Sequence, residues 1–179
     1  METQQESKWV IDLSHSELSF KVKHLMISNV KGEFRNFSGE IKGSDLFTAP
    51  VELTIEAGSI FTNNDDRDAH LRSADFFDTD TYAQITFRST SMEKIDDEQF
   101  KLHGELTMKG VSKPVVLDVE FGGIGKDPWG NEKAAFEVKA KINRKDWGLN
   151  WNAALEAGGV LVSEEVTILA DVQWLKQTI

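Results

Sequence analysis

The run F-K-L-H-G-E-L-T-M, Phe100 to Met108, decides the fold. Phe100, Leu102, Gly104, Leu106 and Met108 alternate with Lys101, His103, Glu105 and Thr107. Period-two alternation puts the apolar residues on one face of an extended chain and the polar ones on the other, as in a half-buried antiparallel strand. The pattern recurs in both directions. Downstream come Val115, Leu117, Val119 and Phe121, then Phe136, Val138, Ala140 and Ile142, then Val166, Ile168, Ala170, Val172 and Trp174. Upstream are Ile85 and Phe87, Val51, Leu53, Ile55 and Ala57, and Leu18, Phe20 and Val22. Turn residues punctuate these runs at Asp96-Asp97, Lys109-Gly110, Gly122-Gly123, Asp127 to Asn131 and Gly158-Gly159. The reading is an all-β chain whose meander closes on itself, because closure removes the unpaired edges. It predicts an antiparallel eight-stranded β-barrel with short helical insertions, one domain over 8–179 behind a polar tail, 1–7.

Composition limits what such a barrel does. A chain of 179 residues buries a full core without staples. The absence of cysteine excludes thiol chemistry and cysteine-ligated zinc. A net charge of -10 argues against nucleic acid, whose phosphates need a basic footprint, and equally against a general attraction to anionic membranes. No apolar run approaches the ~20 residues of a spanning helix, so no transmembrane segment is expected. The opening M-E-T-Q-Q-E-S lacks the basic and apolar regions of a secretory signal, which reads as a cytoplasmic chain. A periplasmic protein in mature form with an added Met1 would read the same.

Two segments break the strand rhythm. Asn64 to Phe77 reads as one or two helical turns, with Asn64 or Asp65 as N-cap and acidic residues where the helix dipole favours them. Asn143 to Trp151 reads as a short non-strand insertion. The first packs Asp65, Asp66, Arg67, Asp68, His70 and Arg72 together. As chemistry, Asp68 and His70 form an acid/base pair with Arg67 or Arg72 holding an anion, the set a small hydrolase or isomerase would use. As structure, the same residues satisfy a helix start and form a polar lid. No nucleophile motif accompanies them, and none of the four histidines has the spacing of a metal pair.

The inward face is rich in large side chains, including Phe20, Phe87, Phe100, Phe121, Phe136 and Trp174. An eight-stranded barrel is either filled by such residues or wide enough to hold one small ligand. Alternation alone does not separate a stress-related interaction module with a filled barrel from a ligand carrier.

The motifs add a resemblance. Trp9 to His24 and G-E-F-R-N-F-S-G-E-I, Gly32 to Ile41, resemble the opening of the YceI-like family. S-I-F-T with R-D-A-H-L and D-F-F-D (Ser59 to Asp78), I-T-F-R-S-T (Ile85 to Thr90), G-E-L-T-M-K-G-V-S-K-P-V (Gly104 to Val115) and N-R-K-D-W-G-L (Asn143 to Leu149) continue the match in order. The chain departs from the family pattern at Tyr82-Ala83, where proline usually follows the tyrosine, and at Trp147, where another aromatic is usual. The resemblance implies a lipocalin-like barrel, often a homodimer, whose apolar tunnel takes a polyisoprenoid or other long-chain lipid, with no cofactor and no catalytic residues. On that reading, parity and position assign the lining to Phe20, Val22, His24, Phe34, Phe37, Leu71, Phe76, Phe77, Phe87, Leu106, Met108, Ile142, Trp147 and Trp151. Arg67, Asp68, His70, Arg72 and Arg144 are assigned to a polar mouth, and His24 to a polar anchor for a ligand head.

Overall fold

In the computed structural model, residues 7–152 and 161–178 are described. The tail before Ser7 and the Gly158-Gly159 turn lie outside the described residues; Ser7, assigned to the tail, already begins the first strand. Along the chain run β1 (Ser7–Ile11), β2 (Glu17–His24), β3 (Ser28–Phe34), β4 (Phe37–Ile41), β5 (Val51–Glu56), β6 (Ile60–Phe61), α1 (Asp65–Arg72), β7 (Gln84–Lys94), β8 (Gln99–Met108), β9 (Val111–Lys126), β10 (Glu132–Asn143) and β11 (Val162–Thr178).

Register explains why eleven strands make an eight-stranded barrel. One half of β11 pairs with β1, Ile11 opposite Trp174, and the other with β2, Glu17 opposite Asp171. β1 and β2 are thus one wall, interrupted by the 3-10 turn Leu13–His15. β4 lies on β1 and β3 on β2; β5 then follows β4, and β6 follows β3. The closed ring β1-β4-β5-β7-β8-β9-β10-β11, shut by the β1–β11 ladder, is all antiparallel. Asp12 fixes the interrupted wall. Its carboxylate takes Lys133 Nζ at 2.9 Å and Ser14 Oγ at 2.8 Å, with His15 Nδ1 at 2.9 Å. Burial raises its pKa, but the hydrogen bonds from Lys133, Ser14 and His15 outweigh that and hold the carboxyl well below its ordinary range.

One end of the barrel is closed by the loop between β4 and β5. The Trp9 indole N–H donates to the Ser44 carbonyl at 3.0 Å, and Leu46 is buried beneath it. Phe47 stacks on Phe100 at 4.9 Å and meets Phe121 edge-on at 5.2 Å. At the opposite end the wall is incomplete, because β6 is only two residues long, and the chain from Thr62 to Ala83 crosses instead. There α1 starts where Asn64 Oδ1 accepts the Arg67 N–H at 2.9 Å; Asp65, Asp66 and Asp68 occupy its first turn and His70 and Arg72 its last.

Candidate ligand-binding cavity

A cavity of about 570 Å³ runs through the barrel, within the range of roughly 300–1,000 Å³ typical of small-molecule sites. Its floor is Ile11, Leu46, Phe136 and Trp174; its middle includes Leu18, Phe87, Leu106 and Ala170; Val22, His24, Trp151 and Leu161 lie at the mouth. Nearly all of the lining is apolar, and its charged groups, Lys23, Asp66, Arg67 and Arg144, gather with His24 and His70 at the mouth. From Val162 to Trp174, at roughly 3.3 Å per residue and a barrel tilt near 40°, the lined wall extends roughly 30 Å. Exposure follows the same axis. Along β11, Val172 and Trp174 are buried, whereas Val166, Ile168 and Ala170 are partly accessible through the mouth.

The lumen stays open despite its aromatic residues because glycines make room for them in the wall. Gly32 lies directly opposite Phe20, and a Cβ on Gly32 would clash with the edge of the Phe20 ring. A Cβ on Gly104 would lie 2.6 Å from the Phe87 ring and from the Arg88 carbonyl oxygen. On Gly39 it would approach Trp174 to 3.1 Å. Each ring therefore lies against the strand instead of crossing the interior, the cross-strand use of glycine that lets an aromatic cover backbone.

Of the residues assigned to the lining, Phe20, Val22, His24, Phe34, Leu71, Phe76, Phe77, Phe87, Leu106, Met108, Ile142 and Trp151 border the cavity. Phe37 and Trp147 do not. Phe37 is buried opposite Ile55 in the β4–β5 wall, since parity fixes a residue's face but not whether neighbours cover it. Trp147 is buried because its indole N–H needs an acceptor and takes the Leu106 carbonyl at 2.8 Å, which holds it against β8.

The polar set divides more sharply. Asp68 is buried outside the lining, its carboxylate accepting the Thr62 N–H at 2.9 Å and the Thr62 hydroxyl at 2.5 Å. Arg67 borders the cavity with its Nε and Nη2 tied to Thr62 Oγ1 and O, at 2.7 and 2.6 Å. His70 turns to Asp75, 2.9 Å away, and packs edge-on against Trp151 at 4.7 Å and Phe76 at 5.1 Å. Asp68 and His70 are therefore not an acid/base pair: two positions apart on a helix, they face different sides. Arg72 ends α1 outside the lining, where its carbonyl accepts the Thr79 N–H at 3.0 Å.

Arg144 borders the cavity at the mouth, as assigned, but it is a buried staple whose donors are spent on backbone. It donates to the carbonyls of Leu149 (2.6 Å), Trp151 (2.9 Å), Ser163 (2.9 Å) and Val162 (3.4 Å). Burial lowers its pKa and the Glu164 carboxylate opposes that; a guanidinium still remains charged. Among the described residues, no group of three metal-ligating side chains converges. Leu46 in the floor and the wall glycines Gly32 and Gly39 escape a reading by alternation, which places Gly104 on the inner face without showing what it makes room for. The apolar pair Leu46-Phe47 inside the turn-rich stretch Gly43 to Pro50 is the signal that points to a plug.

Comparison with known proteins agrees with this geometry. UPF0312 protein SAB2563 of Staphylococcus aureus is 40% identical over 171 residues, spanning 94% of this chain and 97% of that protein. The crystal structure of the Campylobacter jejuni YCEI protein is similar with a TM-score of 0.74 and 36% identity, covering 88% of this chain and 91% of that one. A polyisoprenoid binding domain from Saccharophagus degradans has the same fold, with a TM-score of 0.73 at 15% identity over 94% of this chain and 98% of that one. The profile of the YceI-like domain matches residues 9–174, and with that match and the Staphylococcus aureus relative this chain belongs to the YceI-like family.

Proposed function

We propose that the protein is a non-enzymatic binder of one long-chain lipid, a polyisoprenoid or related amphiphile, as carrier, store or sensor. The observation that carries this reading is the cavity itself: long, closed at the Trp9 end and lined almost wholly by apolar side chains. Such a space favours a tail over a compact polar substrate. Each buried CH₂ contributes about 0.8 kcal/mol, so a five-carbon isoprene unit offers roughly 3 to 4 kcal/mol gross, before ordering costs. The fold shared with a polyisoprenoid binding domain supports the tail's shape, though not its identity. A polar head at the mouth meets Lys23, Arg67 and His24, whose ring has no hydrogen-bond partner among the described residues. The alternative acid/base chemistry loses its pair, since Asp68 serves Thr62 and His70 faces Asp75. Organic extraction of the purified protein followed by mass spectrometry tests the proposal. A near-stoichiometric long-chain lipid is expected. A tail-free extract, together with no uptake of an added isoprenoid alcohol, would remove the lipid-binder reading.

A further inference from the structure

The β2–β3 turn breaks two local rules at once. His24 to Ile27 closes with the Ile27 N–H on the His24 carbonyl at 3.2 Å, and its two central residues, Leu25 and Met26, both have left-handed backbones, φ 55° and 61°. This turn normally takes Asn-Gly, because a side chain with a Cβ is strained there. The chain instead places bulky apolar residues in the strained positions and in water: Leu25 is 39% exposed, Met26 53% and the following Ile27 85%. The second anomaly is electrostatic. On the outer face of the same hairpin Lys21 stands directly opposite Lys31, with Lys23 beside them. Like charges in that position oppose each other. In a chain of net charge -10, none of these three lysines has a carboxylate partner among the described residues.

The tip adjoins the cavity. Lys23 and His24 border its mouth, and the Leu25 N–H donates to the carbonyl of Leu161, another lining residue, at 2.9 Å. We propose that this hairpin tip docks the mouth onto a lipid bilayer: Leu25, Met26 and Ile27 enter the interface while Lys21, Lys23 and Lys31 meet headgroup phosphates. Three convex apolar residues are far too small an area for a stable protein interface, yet suit shallow insertion with flanking basic residues. On a molecule of net charge -10, these lysines give the tip a local attraction for anionic lipid that the chain as a whole lacks. The choice of a bilayer rests on the lipid-binding reading, which makes it the source and sink of the cargo.

The test is flotation with phosphatidylcholine vesicles, with and without phosphatidylglycerol. Wild-type protein is expected to float, more with phosphatidylglycerol at low salt. Leu25→Asn with Met26→Gly is expected to lower vesicle partition by about tenfold or more while raising the melting temperature, because it restores the residues the turn prefers. Ile27→Asp, a change in a side chain already in water, gives the same loss if the double variant misfolds. Lys21→Gln with Lys31→Gln removes the preference for phosphatidylglycerol. Wild-type protein that floats with neither vesicle, or tip variants that float like wild type, would overturn the proposal; a preference surviving the lysine changes would overturn the role of the lysines. Extraction of the same samples separates the two readings. Lipid carried without flotation sinks the docking alone, and flotation without carried lipid sinks the cargo.

Discussion

Ala170→Phe is expected to weaken binding of a long isoprenoid alcohol by roughly a hundredfold or more while leaving the barrel at least as stable. Ala170 sits midway along the lumen on β11, between Val138 and Leu18, and it borders the cavity. A phenyl group there enters empty apolar space, so it adds contacts without displacing packed neighbours. The same ring cuts off the space between it and the floor at Leu46 and Trp174. Excluding one isoprene unit forfeits roughly 3 to 4 kcal/mol gross, and about 1.4 kcal/mol is a factor of ten in affinity. Ligand titration and thermal melting of the same samples check it. A stable variant that binds the full-length tail as wild type does would show that the tail does not run down the barrel.

The second large effect is expected at Arg144. Replacing it with methionine keeps most of the aliphatic stem but takes the Arg144 donors from the carbonyls of Leu149, Trp151 and Ser163, while the Val162 carbonyl keeps the Asn152 amide at 2.7 Å. Unsatisfied acceptors cost about 1 to 3 kcal/mol each when buried; with those nearest the mouth rehydrated, the net loss should be about 3 kcal/mol. In a domain of this size that lowers the melting temperature by about 10 °C. Arg144→Lys should fall between, since one ammonium cannot reach four carbonyls on two segments. Bound lipid should also exchange faster, because Arg144 ties the segment bearing Trp151, which borders the cavity, to the start of β11. Melting curves and the rate of lipid exchange test both parts. An unchanged melting temperature in Arg144→Met would mean that the carbonyls of Leu149, Trp151 and Ser163 find other donors.

Much of this architecture is legible in the chain. The alternation from Phe100 to Met108 is reproduced residue by residue in β8, whose inward residues are all buried, and the cap at Asn64 is where the sequence puts it. The hollow interior is not legible by the same means. Whether Phe20, Phe87 and Trp174 fill the barrel depends on which residue each ring lies against, and only the folded sheet brings Gly32, directly opposite Phe20, and Gly104 and Gly39 beside the other two rings. Phe37 lies outside the lining for a related reason, since parity assigns a face and says nothing of cover. Trp147, in a turn where parity does not apply, is held away by its hydrogen bond to the Leu106 carbonyl. For Asp68 and His70, helical spacing already contained the answer, since residues two apart do not meet. The stapling role of Arg144 is not legible because its four acceptors belong to backbone lying five to nineteen positions away.

The central claim is that apolar burial along the barrel holds the ligand, and affinity as a function of tail length, at low and physiological salt, tests it most directly. A series of isoprenoid alcohols and their phosphates serves as the probe. Affinity should rise steeply with each isoprene unit, level off once the tail reaches the floor at Leu46 and Trp174, and change little with salt, because screening acts on exposed charges and leaves apolar burial almost untouched. An affinity that is flat with tail length and collapses with salt would contradict the account and place the binding energy in the charged groups of the mouth.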